Sequence, residues 1–173
     1  IIRNDKDSWQ ENQRLKAIKM ILETGKVDLE GSVVSEDYNH GRTCLMEASA
    51  FGNLEIVQCV LLHGASVHSK DYEERTALYH ALQTNKLSNQ EDIVLTLLEA
   101  GSDATVTDIT GYRCLHQAVY CKPSVVNMML EFGSGGEFID RKDGHYGATA
   151  LYMASIVEYS VAPENIQKPE IVM

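Results

Sequence analysis

GRTCLMEASAFGNLEIVQCVLLHGAS, residues 41 to 66, returns twice further down the chain in altered form. RTALYHA (75 to 81) with EDIVLTLLEAGSD (91 to 103), and RCLHQA (113 to 118) with SVVNMMLEFGS (124 to 134), keep their Leu, Ala, Val and Gly in step. Each copy has a short segment of apolar and small residues, a turn, and a second apolar segment. The spacing of apolar positions predicts two helices per copy, joined to the next copy by an extended connector. Leu45, Leu78, Leu115 and Leu151 follow one another at 33, 37 and 36 residues. A period of this length is the signature of stacked helical repeats.

Gly41, Thr43, Leu45, Ala48, Gly52, Ile56, Val57, Leu61, Leu62, Gly64 and Ala65 resemble the ankyrin repeat, whose pattern runs D-x-x-G-x-T-P-L-H-x-A-A-x-x-G-x-x-x-I-V-x-x-L-L-x-x-G-A-D. The second unit keeps Asp71, Thr76, Leu78, Ala81, Ile93, Val94, Leu97, Leu98 and Gly101, with Glu74 where the turn glycine is expected and four extra residues near Lys86 to Asn89. The third keeps Asp108, Gly111, Leu115, His116, Ala118, Val126, Leu130 and Gly133, and a fourth begins at Gly147, Thr149, Leu151 and Ala154. The family's proline is replaced by Cys44, Ala77, Cys114 and Ala150. The resemblance implies an all-α repeat solenoid of stacked helix-turn-helix units with hairpin-like finger loops. Its units would be a divergent N-terminal repeat or cap (1–36), repeats at 37–70, 71–107 and 108–142, and a partial or divergent repeat at 143–173. In the first unit LKAIKMILETGKVDLE reads as an outer helix ending at Gly25, preceded by KDSWQENQ, a poor inner helix. PEIVM at the other end looks like the start of an outer helix, and with Ile1 in place of Met the chain reads as part of a longer one.

With 44% hydrophobic and 23% charged residues the chain has the profile of a soluble globular protein. No apolar run approaches the ~18 residues of a membrane span. Fifteen Lys and Arg against 25 Asp and Glu give a formal charge of -10, which disfavours binding to a phosphate backbone. No nucleic acid and no membrane insertion are therefore expected, and a basic partner is the one the charge would attract. Cys44, Cys59, Cys114 and Cys121 form no CxxC pair, and a chain of this size completes its core without crosslinks. Reduced thiols in an intracellular protein, cytoplasmic or nuclear, fit this usage.

Chemistry-bearing constellations are sparse. Cys114, His116 and Cys121 offer thiolate and imidazole but no evident fourth zinc ligand. His116 occupies the family's T-P-L-H histidine position, where the resemblance implies a hydrogen bond to the connector backbone. GSGGE in the loop after the third unit lacks the Lys-Ser or Lys-Thr pair of a phosphate cradle. No nucleophile, base and orienting group come together, so no enzyme activity, cofactor or metal is expected.

Stacked repeats leave one long face for recognition, and the resemblance places it on the fingers and inner helices. Candidate partner-binding residues are Tyr38, Asn39, His40, Arg42, Tyr72, Glu73, Arg75, Tyr112 and Tyr146 near the fingers. Phe51, His80, Gln117 and Tyr120 join them from the inner helices. Tyr38, Tyr72, Tyr112 and Tyr146 each fall near one successive finger, as a ladder of anchors or as rings folded back over neighbouring repeats. The expected function is a protein or peptide interaction module, a scaffold or adaptor. The alternative is a regulatory or substrate-recruiting arm of a larger enzyme, ubiquitin-ligase receptor or channel.

Overall fold

Leu45, Leu78 and Leu115 reach the core because each sits on a short helix wedged between two neighbours, and the same register recurs along the chain. The computed structural model describes residues 5–31, 41–83, 89–133, 139–144 and 146–161, with the side chains of 5–12 and 157–161 left aside. The sequence candidates Tyr38, Asn39 and His40, most of the insertion near Lys86, most of GSGGE and the segment PEIVM lie outside the described residues.

Within them the chain forms α1 (Asp5–Leu22), α2 (Cys44–Ala50), α3 (Leu54–Leu62), α4 (Ala77–Gln83), α5 (Gln90–Glu99), α6 (Cys114–Ala118), α7 (Pro123–Phe132) and α8 (Ala150–Val161). The helices make two rows. An inner row runs α2, α4, α6, α8 and an outer row α1, α3, α5, α7, each helix packed on the next in its row. Within a repeat, α2 packs on α3, α4 on α5 and α6 on α7. No strand occurs among the described residues beyond the single bridge pair Thr107 and Arg113. The fold is the expected α-helical repeat solenoid. At the N-terminal end one continuous helix, α1, covers both KDSWQENQ and LKAIKMIL, with no break between an inner and an outer helix.

Local chemistry sets the ends of these helices. Asn53 caps α3 by accepting from the Ile56 N–H at 3.3 Å, satisfying one of the donors that a helix start leaves open. Gly64 and Gly101, just past α3 and α5, have φ of 92° and 94°. That left-handed turn releases the chain toward the next finger and is resisted by residues with a Cβ.

The finger turns share one construction. Asp71 N–H donates to Arg75 O (3.0 Å), Asp108 N–H to Tyr112 O (2.9 Å) and Asp143 N–H to Ala148 O (2.8 Å), so the fourth finger is one residue longer. Each aspartate is buried and accepts two backbone N–H groups of its own turn, as Asp71 does from Glu73 and Arg75 at 2.9 Å. The turn needs a positive φ, supplied by Gly41, Gly111 and Gly147 in their fingers and by Glu74 in the second (φ 62°). A left-handed conformation costs a Cβ-bearing residue about 1–2 kcal/mol, while glycine loses about 0.5–1 kcal/mol through unfolded-chain entropy. The Lys70–Glu74 pair is exposed and offsets little. Glu74→Gly is therefore expected to raise stability by about 0.5 kcal/mol, read as a higher urea midpoint at unchanged slope. A lower midpoint would show that the turn tolerates Glu74 without strain.

Candidate functional site

The residue after the repeat leucine on α4 and on α6 reaches into the following repeat. His116 on α6 shows how it is used. Its Nδ1 accepts from the Arg113 N–H at 3.1 Å and its Nε2 donates to Ala148 O in the fourth finger at 3.1 Å. Met46 Sδ takes the equivalent Thr43 N–H at 3.4 Å, and Tyr79 O–H donates to Asp108 in the third finger at 3.4 Å. His116 thus performs the backbone role that the resemblance implied. Among the described residues no three His, Cys, Asp or Glu side chains gather as a metal group. Cys114 is buried, which pushes its thiol up to about 12, and Cys121 donates to Leu82 O at 3.4 Å.

Both ring nitrogens of His116 suit the neutral imidazole, because protonated Nδ1 cannot accept from Arg113. Burial holds its pKa below the ordinary histidine value. On acidification the unfolded chain therefore takes up this proton first. The stabilisation is complete above the unfolded pKa of about 6.5 and is lost as pH falls through the lower folded value. Unfolding free energies from urea titrations between pH 7.5 and 5.5 should fall by up to about 1 kcal/mol per pH unit on this account. His116→Gln, whose amide can reproduce both bonds, should reduce that dependence, leaving the part that comes from His80. An identical slope in the variant would assign the acid sensitivity elsewhere.

The residue two places after the leucine is Glu47, His80, Gln117 or Met153, the position that supplies the candidate partner-binding residues His80 and Gln117. His80 is 0% exposed. Its Nε2 donates to Asp71 Oδ2 at 2.8 Å, and burial, with Arg42 nearby, lowers its pKa. It therefore sits beneath the second finger instead of reaching outward. Gln117 is half-buried and donates to Leu82 O at 3.4 Å. Glu47 lies 3.6 Å from the Arg42 guanidinium.

The finger tyrosines do not occupy equivalent places. Tyr72 is 63% exposed, and its ring lies beside Gly41, where an added Cβ would come within 2.7 Å of it. Tyr112 is half-buried, stacked at 5.2 Å on His116 and donating to its backbone oxygen at 3.4 Å. Its pKa is raised by burial and then by Tyr120, with which it shares a hydrogen bond. Tyr146 is 78% exposed at the fourth finger. Phe51, at the end of α2, is 77% exposed, and Tyr120 is at the margin of exposure.

The charged finger residues are engaged within the chain. Arg75 pairs with Glu73 and with Asp108 (3.6 Å), and its guanidinium lies 5.1 Å from the centre of the Tyr79 ring. Glu74 pairs with Lys70 at 2.7 Å. The fingers also bind one another, since Ile109 N–H donates to Glu73 O at 3.0 Å.

Two sequence candidates, Tyr120 and Tyr146, join Lys142, Tyr152, Met153 and Ile156, among others, in lining a groove of about 790 Å³ between the fourth finger and α8. α8 spans 12 residues against 7, 7 and 5 in α2, α4 and α6. The apolar run ALYMASIV was the available sequence signal for this extension.

Comparison with known proteins agrees with this architecture. A family model described as ankyrin repeats (3 copies) matches residues 10–108. Palmitoyltransferase AKR1 of Kluyveromyces lactis is 28% identical over 157 residues, covering 89% of this chain and 20% of that protein. E3 ubiquitin-protein ligase KEG of Arabidopsis thaliana is 29% identical over 113 residues, 65% of this chain and 6% of the ligase. Rabankyrin-5 of Mus musculus is 29% identical over 127 residues, 70% of this chain and 10% of that protein. The chain thus spans a fifth or less of each of these relatives.

Proposed function

The chain belongs to the ankyrin-repeat family, and on that premise we propose that it binds a protein or peptide on its finger and inner-helix face, as a scaffold or adaptor. The observation that carries this reading is the set of exposed aromatic side chains on that face, Phe51, Tyr72 and Tyr146, held on buried helices and closed turns. Rigid aromatic surface is the usual anchor of protein interfaces. No helix among the described residues is long and apolar enough to cross a membrane. The four cysteines are unpaired, in keeping with an intracellular, cytoplasmic or nuclear setting.

Recognition is the mechanism in this reading, with no bond chemistry performed by the chain. The formal charge of -10 favours the approach of a basic partner. At contact, Glu73 and Glu74 are already paired with Arg75 and Lys70, so basic residues of the partner would govern association rate more than affinity. A second reading makes the chain the regulatory or substrate-recruiting arm of a larger enzyme, ubiquitin-ligase receptor or channel. It is favoured by the small share of each relative that the chain covers, and by two of those relatives being named a palmitoyltransferase and an E3 ubiquitin-protein ligase.

Affinity capture followed by mass spectrometry would name a partner, and titration calorimetry on the purified pair would test the face. Tyr72→Ala and Phe51→Ala are each expected to weaken binding about tenfold with little change in melting temperature. Substitutions at Gln58 on α3 and Thr96 on α5 should leave it unchanged. The reverse pattern would place the interface on the outer helices.

A further inference from the structure

The groove between the fourth finger and α8 differs in charge from the rest of the molecule. Its walls carry exposed Tyr146 and Tyr152 (59%), the margin of Tyr120, and Ile156 beside the buried Met153. This is a run of aromatic and aliphatic surface with room for a large side chain. Among the described residues Lys142 is the one formally charged side chain on those walls. Among the described residues Lys142 makes no ion pair. The nearest acid in sequence, Asp143, is turned into its own loop, where it accepts from the Tyr146 and Ala148 N–H groups. Among the described residues a chain of formal charge -10 thus places an ammonium without an ion pair beside an aromatic groove.

We infer that this groove receives a segment of a protein partner in which an aromatic or large aliphatic side chain is followed closely by a carboxylate. The apolar side chain lies against Tyr146, Tyr152 and Ile156, and Lys142 pairs with the acid. The inference rests on the proposed protein-binding face and deepens it at one contact. Net charge steers a partner from a distance, while the groove reads a single residue pair. A carboxylate is assigned instead of a phosphate because the one ammonium of Lys142 balances a single negative charge, whereas a phosphomonoester carries about -1.5 to -2. The aromatic surface supplies most of the affinity. The lysine supplies selectivity, since an isolated exposed pair adds little energy while a like charge in its place repels.

Selection of a phage-displayed random peptide library on the purified 173-residue chain tests this directly. Enriched peptides are expected to share an aromatic or large aliphatic residue within two positions of Asp or Glu. The best of them, synthesised and titrated, should lose about tenfold or more in affinity to Lys142→Glu and to Tyr146→Ala, while Gln58→Ala and Thr96→Ala leave it unchanged. Replacing the peptide's acid by Lys should cost the parent chain more than it costs Lys142→Glu. Peptides that lack an acid, no enrichment at all, or affinity indifferent to both groove variants would overturn the inference. Loss confined to Tyr72→Ala and Phe51→Ala would do so while leaving the finger and inner-helix reading intact; loss confined to Gln58 and Thr96 variants would overturn both. Tenfold tighter binding of a phosphorylated peptide would reassign the anion. A dimer in sedimentation abolished by Tyr146→Ala would give the groove to a second copy, and peptide affinity that rises tenfold on removing residues 162–173 would give it to that segment.

Discussion

Leu78→Ala lowers the stability of the stack by about 2 to 5 kcal/mol, as read from urea midpoints, whereas Leu151→Ala, at the same repeat position, changes it by no more than about 0.5 kcal/mol. Leu78 is 0% exposed on α4, which packs against α2, α5 and α6. Truncating it removes apolar contacts and leaves a cavity that helices held on three sides cannot fill. Leu151 is 73% exposed on α8, so its truncation removes little that is buried. Circular dichroism should show the Leu78 variant losing helix at lower denaturant with its transition broadened, as the repeats on either side lose a shared neighbour. Similar losses from both substitutions would mean that the two leucines share burial as well as register.

Asp71→Ala should cost about 3 kcal/mol. Its carboxylate is 1% exposed and accepts from the Glu73 and Arg75 N–H groups and from His80 Nε2. Removing it strands three donors at once, one of them on a fully buried ring, and an unsatisfied buried donor costs far more than an average hydrogen bond gives. A double-mutant cycle with His80→Ala should show a coupling of about 1 to 2 kcal/mol. Coupling near zero would make the pair a bystander of the turn. Because both groups lie within the second repeat, the loss should appear in stability whether or not a partner is bound.

The repeat register was legible in sequence because burial enforces it. Leucines 45, 78 and 115 have to face a core, and the turns at Gly41 and Gly111 have to adopt a positive φ, so chance variation at those places is visible as pattern. The face was less legible. His80 stands at a position where other units carry Glu47 and Gln117, and only the folding of the second finger over α4 brings Asp71 within 2.8 Å of it. Tyr112 carries the same side chain as Tyr72, yet stacking on His116 turns it inward. A tyrosine's direction is decided by what the neighbouring repeat offers, which spacing alone does not encode. The groove was missed for a related reason. Its walls combine Tyr120 and Lys142 of the third repeat with the fourth finger and an inner helix that runs past the length set by the others, so no single repeat contains the site.

The joints between repeats also differ from one another. Asn89 Nδ2 donates to Gly52 O at 2.6 Å across the first, Tyr79 to Asp108 across the second, and His116 to Ala148 O across the third. Units built to one plan are therefore not interchangeable parts. Exchanging the second and third would set the Tyr79 phenol against the fourth finger, where the Ala148 oxygen waits for an imidazole, and would leave Asp108 behind the first repeat, without the phenol it accepts from. Duplication can lengthen such a chain, but once its joints have diverged the order of the units becomes a property of each unit, written into the side chain that meets its neighbour.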